Sequence, residues 1–456
     1  MSTPLISRQF AQFACHMTPA PSDVIAAADR AIFDTLGAIL AGGAHDMVKA
    51  IARLKEDANG PCLLATRGRS DALGAALVNG MAAHVWDIDD TSYTGIMHAS
   101  AVILPALLAV AQQQDTDPET LRDAFIAGSE ITYVLADICT HDHYFHGWWS
   151  TVTFGLIGTT AAVGVLLQLD EAEMTSAIGL AAASAGGGKV VFGTDAKPLL
   201  VGEAAQRAIQ FAEVAKAGVR GPENAFEDSR GYFKLLNNGK SDGAALETLG
   251  QRWRLIEPGL LFKSSPVCSA GHAAIEQMAA LMETAQAKPE DVKHILAEVP
   301  ELVHISLVYP NPKTPQEAQF SLPYAVACAA IHGRVRFEDL HPDAIGSLDK
   351  VSLIEKLTVG VSAELSTEEM RDIYPESARL TLELKDGRSF SGFCGSAYGM
   401  PDRPLSDQDL EQKFTRSLAF AGLAEVEATP RGINPLTVFA KSITMDVKNH
   451  QQRSEL

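Results

Sequence analysis

The sequence predicts a mainly α protein, a large all-helical domain joined to a smaller α/β domain, and three observations carry that expectation. Of the 456 residues 46% are apolar but only 7% aromatic, so the core is built from Ala, Leu, Val and Ile, which suits closely packed helices. Apolar residues recur at helical spacing up to about residue 264, and short β-rich runs appear only after about residue 265. The chain is also longer than one hydrophobic core usually organises. Residues 1–264 and 406–456 are therefore expected to form the helical domain and 265–405 the α/β domain.

The first clear helix is SDVIAAADRAIFDTLGAILA, Ser22 to Ala41, with apolar residues at i, i+3, i+4 and i+7 and a stop at Gly42-Gly43. Helical patterns recur over 71–87, 100–114, 117–139, 170–184 and 202–218, and no run in this part reads as a strand. The uncharged stretch Gly147–Leu169 has roughly membrane-spanning length. Its Thr and Gly residues and the lack of a flanking basic cluster fit a buried central helix better. Further on, 292–300, 356–364 and 378–393 read as strands, the last folded on itself at Lys385-Asp386-Gly387. Helices are expected between them at 272–285 and 322–333, and Ser406 N-caps a closing helix that returns to the helical domain.

With 37 basic against 56 acidic residues the net charge is −19, which disfavours a nucleic-acid partner because no basic stripe in the sequence offsets the phosphate charge. Six cysteines (Cys15, Cys62, Cys139, Cys268, Cys328, Cys394) fall at no framework or metal spacing, as expected of reduced thiols. The first residues lack the apolar core of a signal peptide, so a cytoplasmic location off the membrane is expected.

Chemistry is concentrated in a few stretches. In HVWDIDDTSYTGIMHAS, Asp87, Asp89 and Thr91 match the D-x-D-x-T of Mg²⁺-dependent phosphatases, but a helical run precedes them where that motif needs a buried strand. Asp89 and Asp90 read as helix caps or as acceptors for loop N–H groups. His141, His143 and His146 in HDHYFHGWWST offer nitrogens to zinc, yet no carboxylate or cysteine accompanies them at helical spacing. Tyr144, with its pKa lowered by a neighbouring cation, could shuttle protons. Lys197 lies in a loop between Ala196 and Pro198 and is either a pocket lysine or a snorkelling one. Lys263, Cys268 and His272 surround a turn that leads into a helix, without a third group to complete a cysteine nucleophile.

Four stretches in order resemble the MmgE/PrpD family of 2-methylcitrate dehydratases, cis-aconitate decarboxylases and iminodisuccinate epimerases. They are NGMAAHVWDIDDT with HAS and LPALLA, TDAKPL with AAQ, KSSPVCSAGHAAI, and AQFSLPYAVA, closed by GMPDRPLSDQDLEQKF. The resemblance covers nearly the whole chain. It implies a homodimer that transfers a proton at a carbon next to a carboxylate of a small polycarboxylate, with no metal and no organic cofactor. It places Asp87 and Thr91 in the pocket wall, His98 at the catalytic-histidine position, and Lys197 and Lys263 against substrate carboxylates or in proton transfer. Tyr324 would complete the wall from the small domain, and His272 would join the substrate-binding set. Cations of this kind suit a reaction that must hold developing enediolate charge in a water-poor site.

Two departures bear on the reaction. The family's G-[aromatic]-H-x-T becomes Gly147-Trp148-Trp149-Ser150-Thr151, so the histidine's role is lost or passes to His146, His143 or Tyr144. The family's H-P-[SG] becomes His98-Ala99-Ser100, which keeps the imidazole. A dehydratase needs an acid for the leaving hydroxyl and a decarboxylase a proton donor, whereas an epimerase needs one group on each face of a carbon. His98, Lys197 and Tyr144 could supply that pair. The expectation is therefore two-base epimerisation of an iminodisuccinate-type dicarboxylate, ahead of dehydration of a 2-methylcitrate-type acid and of cis-aconitate-type decarboxylation. A non-catalytic dimeric binding protein would lack several of Asp87, His98, Lys197, Lys263 and Tyr324, and none is missing.

Overall fold

The computed structural model describes residues 5–445; residues 1–4 and 446–456, assigned above to the helical domain, lie outside the described residues. The first part is a helical assembly: α1 Ile6–His16, α2 Ser22–Gly42, α3 Asp46–Lys55, α4 Ala72–His84, α5 Ala99–Gln114, α6 Pro118–Cys139, α7 Asp142–Phe145, α8 Ser150–Leu166, α9 Glu171–Ser184 and α10 Ala196–Lys216. Their ends follow local chemistry. Asp117 caps α6 through the Thr120 N–H with Pro118 in the first turn, and Asp170 and Glu173 form a reciprocal capping box on α9.

The uncharged stretch becomes α8, buried along nearly its whole length among α5, α6, α9 and α10. No described helix is long and apolar enough to cross a membrane.

The sequence reading is corrected at two points in this part. Cys62–Leu63 (β1) and Arg69–Ser70 (β2) pair as an antiparallel ribbon where no strand was expected, because two residues per strand are too few to leave an alternating pattern. α10 begins at Ala196, not near 202, so Lys197 lies in a helical first turn instead of a loop. Pro198 is tolerated there because first-turn N–H groups have no intrahelical partner.

α4 and α10 run antiparallel and unusually close. The Gln206 side chain donates to the Leu73 carbonyl at one end, and His84 meets Lys197 at the other. Between these contacts a Cβ on Gly202 would lie 2.1 Å from the Leu77 carbonyl oxygen, and one on Gly80 would lie 2.7 Å from the Gly202 Cα. Only glycine fits this crossing, which brings the C-terminal end of one helix against the first turn of the other.

The C-terminal part holds a four-stranded mixed sheet in the order β4-β3-β5-β6, from β3 Val292–Val299, β4 Leu357–Val361, β5 Ala378–Leu384 and β6 Ser389–Cys394. β3 and β4 are parallel and the other pairs antiparallel. Ala378, Leu380, Leu382 and Leu384 turn inward from β5, and helix His272–Ala285 packs against β5 and β6. The Lys385-Asp386-Gly387 turn closes the hairpin, with Gly387 at φ 91°.

The helix Asp407–Phe420, opened by a capping box of Ser406 and Asp409, leaves this sheet and lies on α2. Phe414 packs on Phe33 at 4.7 Å, and Lys413 Nζ donates to Asp34 Oδ1 at 2.6 Å and to the Ile88 carbonyl at 2.7 Å. Removing the ammonium leaves Asp34 buried without its cation, so Lys413→Ala is expected to cost about 3–5 kcal/mol in urea unfolding. A loss below about 1 kcal/mol, the range of a surface pair, would show that the contact does not hold the tail helix in place.

Candidate active site

His84 is the last residue of α4, and the segment after it folds back so that His98 precedes α5. Thr91 bridges Leu261 and Ser92 bridges Met97, which pins the segment at both sides. Asp87 has φ 50°, a left-handed conformation that Asp tolerates better than most residues. Its carboxylate meets two lysines from distant parts of the chain.

The side chains form one continuous buried network. Asp89 Oδ2 lies 2.8 Å from His84 Nδ1, His84 Nε2 lies 2.6 Å from Lys197 Nζ, and Lys197 Nζ donates to Asp87 Oδ1 at 2.7 Å. Lys263 Nζ lies 3.3 Å from Asp87 Oδ2 and donates to the Asp87 carbonyl at 2.9 Å. His98 joins through Nδ1, 2.8 Å from the Asp90 carbonyl, 3.0 Å from Thr91 Oγ1 and 3.4 Å from Asp89 Oδ2.

These partners assign the protons. A carbonyl only accepts, so His98 Nδ1 carries hydrogen and Nε2 is the nitrogen left to exchange a proton. A lysine ammonium only donates, so His84 Nε2 accepts from Lys197 while its Nδ1–H points at Asp89.

Burial pushes His84 down from the ordinary imidazole pKa, and Lys197 adds to the effect against the opposing pull of Asp89. Burial and Lys263 hold His98 well below that value. Burial alone would raise Asp87, but Lys197 and Lys263 outweigh it and keep it well below the carboxylate range. Asp89 is likewise held low, against its burial, by His84 and His98. Lys263 is raised, because Asp87 and Asp89 outweigh the desolvation of its ammonium. The site is thus an ionised, compensated cluster with two neutral imidazoles.

Aromatic side chains enclose Lys197, with Phe320, Trp149 and Phe192 ring centres 5.0, 5.5 and 5.6 Å from Nζ. Trp149, standing where the resemblance expects a histidine, also packs on the His84 ring at 5.5 Å. It replaces a proton carrier by a wall that favours the ammonium through its π face. From the C-terminal part, Phe320 stacks on Phe192, Tyr309 donates to the Phe192 carbonyl, and Gln319 donates to the Val85 carbonyl.

The structure brings together Asp87, Thr91, His98, Lys197 and Lys263, and the other sequence-derived candidates make no hydrogen bond to them. Tyr324 does not complete the wall: its hydroxyl donates to the Asp339 carbonyl inside the C-terminal part. His146 is exposed and bonded to the Asp142 carbonyl and Asn238, outside the cluster. His272 is buried near Lys263, but its Nε2 lies 3.3 Å from the Val267 carbonyl of its own turn and reaches no cluster member. Tyr144 lies under Lys189, with Nζ 3.6 Å from the ring centre, and the neighbouring cation does not lower its pKa as anticipated. Burial raises it, and the phenol stays protonated. Cys268 is pushed up to about 12, chiefly by burial, which removes the thiolate a nucleophile needs.

The reading of Asp89 and Asp90 as caps is also corrected. Asp89 accepts from His84, and Asp90 contributes its carbonyl to His98 while burial raises its carboxyl well above the ordinary range. His84 and Asp89 are the residues that sequence reasoning missed. The usable signal was a histidine closing a helix five residues before an aspartate.

His141, His143 and His146 bind separate partners and do not converge. His84, Asp89 and His98 do offer three atoms within 4.8 Å of one another, the spacing of a metal triad. Both Nδ1 atoms there are already N–H donors, and the Lys197 ammonium is bonded to His84, so the donor chemistry fits shared protons better than a cation.

Residues 8–244 match the MmgE/PrpD N-terminal domain and residues 265–429 the MmgE/PrpD C-terminal domain. The cis-aconitate decarboxylase of Homo sapiens is 26% identical over 408 residues, covering 86% of this chain and 82% of its own length. That of Mus musculus is 24% identical over 410 residues, covering 86% and 82%. The cis-aconitate decarboxylase-like protein oryM of Aspergillus oryzae (strain ATCC 42149 / RIB 40) is 24% identical over 426 residues, covering 87% and 86%.

Burial of His272 yields a stability test. Its pKa falls from 6.5 to about 4, chiefly by burial. The unfolded chain therefore binds a proton that the fold refuses between those values, and this contribution, complete above about pH 6.5, is lost as pH falls towards about 4. Raised carboxylates such as Asp90 act in the opposite sense, so the comparison is with a His272→Gln variant. Its stability, measured by urea unfolding, is expected to improve relative to the parent by roughly 3 kcal/mol across the window. A difference that does not move with pH would contradict the neutral burial of His272.

Proposed function

The chain belongs to the MmgE/PrpD family, and from that premise we propose that it decarboxylates a small unsaturated polycarboxylate of the cis-aconitate class, with His98 as proton donor. One observation carries the proposal: His98 Nδ1 is bonded to the Asp90 carbonyl, which leaves Nε2 as its proton-exchanging nitrogen, in the same cluster as Lys197 and Lys263. An entering polyanion opposes the field of those ammoniums and so favours the imidazolium, which Asp90, Thr91 and Asp89 are placed to stabilise. As the carbon–carbon bond to the leaving carboxylate breaks, its electron pair moves into the unsaturated acid and is trapped there as a new C–H bond. The proton comes from His98 Nε2. Lys197 and Lys263 bind the remaining carboxylates and the developing enediolate.

The names of the three relatives agree with this reaction. Iminodisuccinate-type epimerisation, placed first on sequence alone, stands second. It needs a proton acceptor opposite His98, yet Lys197 is bonded within the same cluster and Tyr144 is kept protonated by burial. Dehydration stands third, because Trp149 replaces an acid that a leaving hydroxyl would need. The homodimer implied by the resemblance remains part of the proposal.

The test is incubation of cis-aconitate in D₂O followed by NMR, with a chelator present. CO₂ release is expected, with one deuterium in the product. His98→Asn is expected to be slower by about 10²–10⁴-fold with its fold intact. Cis-aconitate left unchanged without CO₂ release, while a chiral iminodisuccinate-type dicarboxylate incubated in parallel takes up deuterium at Cα and loses its chirality, would overturn the reading in favour of epimerisation.

A further inference from the structure

Behind the cluster lies a cavity of about 290 Å³, between the helix Asp407–Phe420 and the segment around Val335. Ile88 and Ser264 belong to its lining, the first buried and between Asp87 and Asp89 in sequence, the second exposed and next to Lys263. Arg334, Arg336, Lys413 and Arg416 form the rest of its charged lining, with Glu338 as its one carboxylate.

Lys413 is balanced by Asp34 and Arg336 by Asp339. Among the described residues neither Arg334 nor Arg416 has a carboxylate partner within 4.0 Å. Arg416 is half-buried, and Asp409, the acid whose charge acts on it, is already hydrogen-bonded to Ser406 and Tyr398. Burial and the positive charge of Arg334 both press on its guanidinium. A chain of net charge −19 thus concentrates uncompensated cations on a concave surface one residue from the catalytic loop.

We propose that this cavity binds a small oxyanion carrying two or more negative charges, and that its occupancy tunes the catalytic loop. Guanidinium groups recognise carboxylate and phosphate oxygens in pairs, and the volume lies at the small end of ligand pockets. The link to the site is Lys413, which holds the Ile88 carbonyl at 2.7 Å and Asp34 at 2.6 Å. An anion that draws this ammonium outward loosens its hold on the residue between Asp87 and Asp89. Phe337 and Phe420, stacked at 4.4 Å in the same lining, carry Trp86 edge-on at 5.7 and 5.2 Å. Trp86 immediately precedes Asp87 and offers a fluorescent reporter of occupancy.

The experiment titrates inorganic phosphate and, separately, citrate into the full chain, followed by calorimetry and tryptophan fluorescence. The comparison proteins are Arg334→Gln/Arg416→Gln and Lys197→Met, and Arg334→Gln alone serves if the double variant fails to fold. Saturable binding of at least one anion is expected, weakened about tenfold or more in the arginine variants and kept in Lys197→Met. Whichever anion binds more tightly identifies phosphate or carboxylate as the preferred chemistry. The bound anion is also expected to change kcat/KM in the parent and not in the arginine variants. Absence of saturable binding, binding equal in the arginine variants, or binding lost only in Lys197→Met would overturn the site. An unchanged kcat/KM at saturation would overturn its tuning role.

Discussion

The buried ammonium of Lys197, shared between His84 Nε2 at 2.6 Å and Asp87 Oδ1 at 2.7 Å, is the contact on which the rest of the site depends. A charge taken out of water is tolerated only if its partners are held in place, because one left unpaired costs several kcal/mol. That requirement reaches outward into the fold. It demands that α4 and α10 approach closely enough for His84 to meet the first turn of α10, which the Gly80 and Gly202 contact permits. It also demands the left-handed backbone at Asp87, which turns one carboxylate towards two lysines.

Once those charges are paired, the state of His98 follows. The Nδ1–H of His98 finds its closest acceptor in the Asp90 carbonyl at 2.8 Å, nearer than Asp89 Oδ2 at 3.4 Å, and Nε2 is left as the proton-exchanging nitrogen. The imidazole is neutral in the free protein because desolvation and the neighbouring Lys263 charge hold its pKa well below the ordinary value. Trp149 belongs to the same logic. The large ring gives up acid–base capacity but seals one side of the ammonium and packs against His84.

Much of the fold was legible because helix and strand periodicity are local. The patterns at 22–41, 117–139 and 378–393 needed no distant contact to be read, and Ser406 announced the closing helix. The parts that were not legible are those fixed by distant contacts. His84 and Lys197 are 113 residues apart, and nothing near His84 says that a lysine will meet it. Tyr324 and His146 sit in suggestive stretches, but their side chains are used by neighbours, Asp339 and Asn238, whose proximity only the folded chain defines. Asp89 and Asp90 carry the same lesson. Adjacent and chemically identical, they differ because one faces an imidazole and the other faces Asp34 and Asp89 in a dry corner, so their pKa values move in opposite directions.

The site and the cationic cavity share a wall, since Ile88 lies between the two aspartates and is held from behind by Lys413. The tail helix and the Asp87–Asp89 segment are thus in direct contact through Lys413. The claim beneath all of this is that the network fixes the proton positions of His98, and ¹⁵N NMR of histidine-labelled protein near neutral pH tests it most directly. The result that agrees is a neutral His98 with hydrogen on Nδ1 and a bare Nε2, shifting towards imidazolium when a polycarboxylate binds. A hydrogen on Nε2 in the free protein, or an imidazolium before any anion is added, would contradict it.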